Sequence, residues 1–235
     1  MRKHLAYPLL AAAVFLGLSL TPARAGFIVL SGNNPEPDEQ NVLLNNDQVG
    51  LTISGTTNQS GDVVNFTSPS QFLVAPSNGQ ARVEARESDD IDSDQVAIDA
   101  AITVAFASPS IFFRDLIFNA FIGGGIGEDG TLEITLNGLD ADGNVVSETF
   151  TTDSDDNPLT LANGSNFYTV LATDGWLLTS VEITPTQGSY ADLRQIRISG
   201  VGAIPEPSSI VLSAIGLAGV GIVAVRRRSL GRSAI

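Results

Sequence analysis

The feature that most restricts the fold is an alternation of apolar and polar residues in short segments across residues 49–201. In the segment TLEITLNGLD, Leu132, Ile134 and Leu136 lie in one phase and the polar residues between them lie in the other. Val181 and Ile183 alternate in the same way with Glu182 and Thr184. A period of two residues is typical of a β-strand with one buried face. The sequence therefore predicts a body built from β-strands.

Turn dipeptides punctuate these segments. Asn-Gly and Asp-Gly pairs, which favour tight turns, occur at 129–130, 137–138, 142–143, 163–164 and 174–175. Many short strands separated by turn signals predict an all-β fold, an antiparallel β-sandwich. Residues 92–106 are ambiguous, because their alanines permit a helix while their valines and isoleucines favour a strand.

The N-terminus has the pattern of a secretory signal peptide. A basic start is followed by an apolar core of residues 9–20 and by the cleavage pattern Ala23-Arg24-Ala25. We expect removal of residues 1–25 after export through the Sec machinery. Residues 26–46 are rich in Asn, Pro and acidic residues and predict an extended lead-in. The predicted β-sandwich domain covers residues 47–203.

The predicted exported body is strongly acidic and lacks several catalytic side chains. Residues 26–203 contain 25 acidic residues and five arginines, a net charge of −20. Such a field repels nucleic acid, so no nucleic-acid partner is expected. The chain has no Cys, and residues 26–203 contain neither His nor Lys, which excludes thiol, histidine and Schiff-base catalysis. We expect no enzymatic activity and assign no catalytic residue.

Three types of binding or catalytic site remain as hypotheses. The loop ESDDIDSDQ offers calcium ligands at Asp89, Asp90, Asp92 and Asp94, and a solvated acidic loop is the alternative. Trp176 falls in the phase opposite to the core and is a candidate sugar contact, although edge packing would also explain it. Paired carboxylates could form a glycoside hydrolase site, but no pair stands out among the 25 acidic residues.

The C-terminus combines three features in a fixed order. Pro205, Glu206 and Pro207 precede an apolar stretch at about 208–225, and Arg226, Arg227 and Arg228 follow it. The stretch is only marginally long enough for a membrane helix, and the arginines predict a cytoplasmic tail. Pro35-Glu36-Pro37 repeats the tripeptide with no apolar stretch behind it, so the tripeptide alone is uninformative.

This three-part ending resembles the PEP-CTERM sorting signal of Gram-negative bacteria that make exopolysaccharide. The resemblance implies that residues 204–235 are the signal and that an exosortase, a membrane-embedded peptidase, removes it. The body, which ends in DLRQIRISG, is similar to jelly-roll modules of the carbohydrate-binding type. A likeness at the level of fold implies little about function.

Together these features predict a non-enzymatic protein that is held transiently in the inner membrane. We then expect it at the cell surface or in the extracellular polysaccharide matrix, in a structural role. A carbohydrate-binding module with structural calcium is the alternative, and a glycoside hydrolase is a more distant one.

Overall fold

The computed structural model describes residues 26–44, 48–76 and 82–204. Within these ranges the chain forms 18 strands and no helix. The first nine are β1 (Phe27–Ser31), β2 (Gln40–Leu44), β3 (Val49–Gly50), β4 (Thr52–Thr57), β5 (Val63–Thr67), β6 (Phe72–Val74), β7 (Arg82–Arg86), β8 (Gln95–Val96) and β9 (Ile102–Phe106). The others are β10 (Ile111–Phe112), β11 (Asp115–Ile122), β12 (Glu128–Leu139), β13 (Val145–Phe150), β14 (Thr160–Leu161), β15 (Gly164–Ala172), β16 (Leu177–Ser189), β17 (Asp192–Ser199) and β18 (Gly202–Ala203).

Sixteen of these strands belong to one sheet, and all of their pairings are antiparallel. Its main path is β1-β15-β11-β17-β2-β4-β5-β9-β16-β12-β13, and β10 pairs separately with β18. The strand β2 connects two halves of this path, one running from β1 to β17 and the other from β4 to β13. Gln40 of β2 pairs with Ile198 of β17, and Val42 of β2 pairs with Thr57 of β4. The prediction of an all-β, antiparallel body is confirmed.

The apolar phase of the strands faces one common core. Leu132, Ile134 and Leu136 are at most 1% exposed, as their alternation predicted. Buried residues from both halves of the path join a single hydrophobic cluster. Residues 92–106 contain β8 and β9 and no helix, so the β-branched residues prevailed over the alanines. The alternation therefore identified the core face correctly.

Two of the predicted turns lie inside a strand. The pairs at 129–130 and 137–138 belong to β12, at places where its register with β16 shifts. Glycine is needed there for close approach, since a Cβ at Gly138 would lie 1.8 Å from the Leu177 carbonyl oxygen and one at Gly130 would lie 1.9 Å from that of Gln187. These glycines mark β-bulges, which sequence spacing cannot distinguish from turns.

The predicted lead-in contributes two strands to the sheet. β1 and β2 lie within residues 26–46, and Val29 and Val42 are buried in the core. Each strand has only five residues, which is too short for its alternation to stand out among the surrounding polar residues. Residues 32–39, which we call the strap, connect them across the face of the sheet that is opposite the core.

Candidate functional site

The strap is fixed to the sheet by polar contacts at both of its ends. At its start, the Gly32 amide donates to the Phe167 carbonyl at 2.7 Å, and the Asn34 amide donates to Thr169 Oγ1 at 3.1 Å. At its end, the Glu39 carboxylate lies 2.7 Å from Arg197 Nη1 of β17 and accepts the Glu36 amide at 3.0 Å. The strap therefore has a defined position over β15, β11 and β17.

A cavity of about 300 Å³ lies between the strap and the sheet. The strap lines it with Glu36, Pro37 and Asp38, and the sheet contributes Asp115 among others. Asp115 is 1% exposed, and neither of its carboxylate oxygens has a hydrogen-bond partner. An unpaired buried polar group is costly, so this carboxyl is unusual in a folded protein.

The electrostatic environment of Asp115 opposes its ionisation. Burial raises its pKa to about 8, and the nearby negative charges of Glu39 and Glu36 act in the same direction. The positive charge of Arg197 lowers the pKa, but less than the other effects raise it. With a pKa of about 8, Asp115 is mostly protonated at neutral pH.

A second buried group of charges lies on the same half of the sheet. Glu84 is 2% exposed, and its carboxylate lies 2.6 Å from Arg82 Nε and 3.1 Å from Arg86 Nη2. The first contact is ionic and not a directed hydrogen bond. Burial raises the pKa of Glu84 in spite of both arginines. Its cross-strand partner Asp192 pairs with Arg194, whose guanidinium lies 3.6 Å from the centre of the Phe121 ring.

These pairs engage four of the five arginines of the body. Arg82, Arg86, Arg194 and Arg197 all contact carboxylates. Arg114, the fifth, is exposed at the rim of the Asp115 cavity. Most of the positive charge is thus compensated locally, and the outward field is dominated by the remaining acidic residues.

The acidic loop proposed for calcium folds on itself. The Asp90 carboxylate accepts the Asp92 amide at 3.0 Å, and the Asp90 carbonyl accepts the Ser93 hydroxyl at 2.7 Å. Among the described residues, no group of three or more His, Cys, Asp or Glu side chains could hold a metal ion. Calcium binding by Asp89, Asp90, Asp92 and Asp94 stays a prediction of the sequence.

Two further acidic loops are organised by their own aspartates. The Asp140 carboxylate accepts hydrogen bonds from the side chain and the amide of Asn144, which hold its pKa below the usual value. The Ser31 hydroxyl and the amides of Asn157 and Asp155 lower the pKa of Asp153 in the same way. These carboxylates stabilise turns, a structural role that explains their spacing.

Trp176 lies against the core. Its ring is nearly perpendicular to that of Phe27, with centroids 5.0 Å apart, and it is half-buried. The predicted outward phase of Trp176 is wrong, because the register between β12 and β16 shifts at Gly138. Asn137 pairs with Ser180 but Gly138 pairs with Leu178, so Thr179 is an extra residue, a β-bulge in β16. This bulge turns Leu178 into the core. The sugar contact at Trp176 stays a prediction.

The folded body ends at a short strand that leads directly into the C-terminal segment. β18 pairs with β10, and the Ile204 amide donates to the Ser110 carbonyl at 2.8 Å. Residues 203–228 match the PEP-CTERM protein-sorting motif. A PEP-CTERM motif implies export and processing by an exosortase, a membrane protein. Neither a curated protein nor a solved structure matches the chain.

Most residues of the PEP-CTERM motif lie outside the described part of the chain. This applies to Pro205, Glu206 and Pro207, to the predicted span at 208–225 and to Arg226, Arg227 and Arg228. The predicted cleavage residues Ala23 and Ala25 also lie outside it. Within residues 26–44, 48–76 and 82–204, no helix is long and apolar enough to cross a membrane.

Sequence reasoning missed the two buried carboxyl sites. Asp115 stands in the otherwise apolar run IFFRDLIFNAF, and a lone acid in such a run is a signal of a buried carboxyl. Glu84 lies between two arginines in RVEAR, where alternation places all three charges on one face of the strand. Charge counting treated both residues as ordinary surface acids.

Proposed function

We propose that the chain is an exported, non-enzymatic protein that is sorted to the cell surface or to the extracellular polysaccharide matrix. The PEP-CTERM match carries this proposal, because it begins at residue 203, where the last strand of the body ends. The body is thus a folded cargo followed directly by a sorting signal. Its net charge of −20 suits a hydrated, structural role in a polysaccharide matrix.

We further propose that the body is a sandwich of the jelly-roll type. Support comes from the two halves of the sheet path, which are continuous through β2 and share one hydrophobic core. A single core formed by two sheet layers is the usual architecture of such domains. This proposal concerns shape alone and assigns no activity.

Replacement of Pro205, Glu206 and Pro207 by alanine is expected to block sorting. The wild-type body should be found in the surface or matrix fraction without residues 204–235. The variant should remain in the membrane fraction at full length, since its tripeptide is no longer recognised. Immunoblotting of fractionated cells with an antibody against the body measures both the location and the length of the chain.

The second Pro-Glu-Pro tripeptide provides a matched control within the same chain. Alanine at Pro35, Glu36 and Pro37 changes the same three residue types but leaves the C-terminal signal intact. This control should be sorted and shortened like the wild type. Normal processing of the 205–207 variant would contradict the proposal.

Binding of a carbohydrate is the second candidate function, with calcium as a structural ion. The observation that favours it is the cavity beneath the strap, which combines carboxylates with apolar walls. A glycan array probed with the full chain, with and without calcium, should show selective binding if this function is correct. Silence of the array under both conditions would eliminate it.

A further inference from the structure

A second cavity, of about 350 Å³, is lined by residues of the strap, β2, β15 and β17. Three of its five lining residues are amides, and we call it the amide cavity. The lining consists of Asn33, Asn41, Phe167, Gln195 and Arg197. It shares no residue with the lining of the first cavity. Its volume is at the lower end of small-molecule sites.

Gln195 has a backbone conformation that is unusual for glutamine. Its φ is 54°, in the left-handed region, and the other non-glycine residues with positive φ in the described ranges are all aspartates. Aspartate tolerates this region because its short side chain bonds locally, which glutamine does not. The conformation arises at a bulge, where the register of β11 with β17 shifts. Glycine would fit the bulge without strain, so glutamine at this position indicates a role for its amide.

A buried asparagine determines which atom of the Gln195 amide stays free. Asn119 is 1% exposed, and its Oδ1 accepts the Asn166 backbone amide at 2.9 Å. Because a backbone amide can only donate, the Nδ2 of Asn119 is the atom that donates to Gln195 Oε1, at 3.2 Å. The Gln195 Nε2 makes no hydrogen bond within the described part of the chain. Gln195 is exposed, so this amino group is accessible to a ligand.

The other two amides of the cavity also have free groups. Arg197 Nη2 donates to Asn33 Oδ1, which leaves the Nδ2 of Asn33 as a donor. The Asn41 side chain makes no hydrogen bond to any described residue, and both asparagines are exposed. Three accessible amino groups of amides therefore line the cavity.

The charge of the amide cavity is balanced, which favours a neutral ligand. Arg197 is the charged residue of the lining, and the Glu39 carboxylate lies 2.7 Å from its Nη1. A cation finds no carboxylate in the lining, and an anion finds a guanidinium that is already paired. Phe167 is half-buried and offers an aromatic ring against which the carbon face of a ligand can pack. Hydroxyl groups suit the amides, because both donate and accept hydrogen bonds.

We propose that the amide cavity binds a neutral saccharide, with a sugar ring against Phe167 and its hydroxyl groups hydrogen-bonded to Gln195, Asn33 and Asn41. Arg197 acts as a positioning residue, because it is neutralised by Glu39 and holds Asn33. This inference rests on carbohydrate binding, the second candidate function, and assigns a site to it.

Ligand-observed NMR titration of the full chain tests this binding. The chain is kept in a detergent without a sugar head group, because such a head group would compete for the site. Cellobiose, lactose and mannobiose serve as neutral probes, and the glucosamine disaccharide and cellobiuronic acid are their charged counterparts. At least one neutral probe should bind with a Kd of about 1 mM or below, and more tightly than either charged disaccharide.

Two variants test the site itself. Gln195→Gly removes the amide and suits the left-handed backbone, so it should stay folded and bind the neutral probe roughly fivefold more weakly. Phe167→Leu keeps an apolar side chain but loses the flat ring, and it should weaken binding to a similar extent. Asp174→Gly is the matched control, because it also replaces an exposed left-handed residue by glycine, outside this lining. The control should bind like the wild type.

Three results would overturn the assignment. These are no binding of any neutral probe, tighter binding of a charged disaccharide, and unchanged affinity of both variants. In the last case the chain binds sugar elsewhere, so only the site fails, whereas a silent glycan array removes carbohydrate binding altogether. If Gln195→Gly fails to fold, as circular dichroism would reveal, Phe167→Leu decides the question. None of these results bears on sorting, which cell fractionation tests separately.

Discussion

Replacement of Asp115 by asparagine is expected to remove a large fall in stability that this carboxyl causes between pH 5 and pH 8. The pKa of Asp115 is raised by burial to about 8, from an ordinary value of about 3.9. Between these values the folded chain holds a proton that the unfolded chain has lost. Stability that is present at pH 4 is therefore lost as the pH rises towards 8, by about 1.4 kcal/mol per pH unit.

The expected effect is large because the pKa values of the two states are far apart. From pH 5 to pH 8 the wild type should lose roughly 4 kcal/mol of unfolding free energy through this group alone. Asparagine resembles the protonated carboxyl in size and cannot ionise, so the variant should be nearly as stable as the wild type at pH 5. At pH 8 it should be clearly more stable.

Urea unfolding followed by the fluorescence of Trp176 measures these free energies at each pH. The difference between wild type and variant isolates Asp115 from the other groups that titrate in this range. Asp142→Asn, at an exposed turn, should follow the pH profile of the wild type. Parallel profiles for wild type and Asp115→Asn would show that the carboxyl is not desolvated.

Alternation predicted the strands well because a strand with one buried face needs an apolar residue at every second position. Val181 and Ile183 are fully buried, as their spacing required. The order of strands in the sheet has no such local pattern. For example, β11 lies between β15 and β17, both of which are distant from β11 in the sequence. Antiparallel pairing between distant segments depends on the packing of the whole core, which no local pattern encodes.

The errors at Trp176 and in the turns have one common cause. The bulge near Gly138 inserts one residue, and every side chain before it then faces the opposite side of the sheet. A phase determined from Val181 and Ile183 could not be extended back to Trp176. The cavity at Asp115 was missed because it requires the strap to cross the sheet, and the strap was interpreted as part of a lead-in.

Replacement of Arg197 by methionine is expected to destabilise the protein by about 3 kcal/mol and to loosen the strap. Its guanidinium lies 2.7 Å from the Glu39 carboxylate and also donates to Asn33 Oδ1, so it holds the strap at two points. Arg197 is 21% and Glu39 13% exposed. Removing one partner of a largely buried pair costs about 3–5 kcal/mol, and partial exposure favours the lower end.

The same substitution should also affect Asp115. Arg197 is the positive charge that lowers the pKa of Asp115, so its loss should raise that pKa further and shift the fall in stability to higher pH. Arg114→Met is the matched control, because Arg114 is exposed at the rim of the same cavity. Urea unfolding across the pH range measures both effects, and limited proteolysis reports on residues 32–39. Equal stability of the two variants would show that the Arg197–Glu39 pair does not hold the strap.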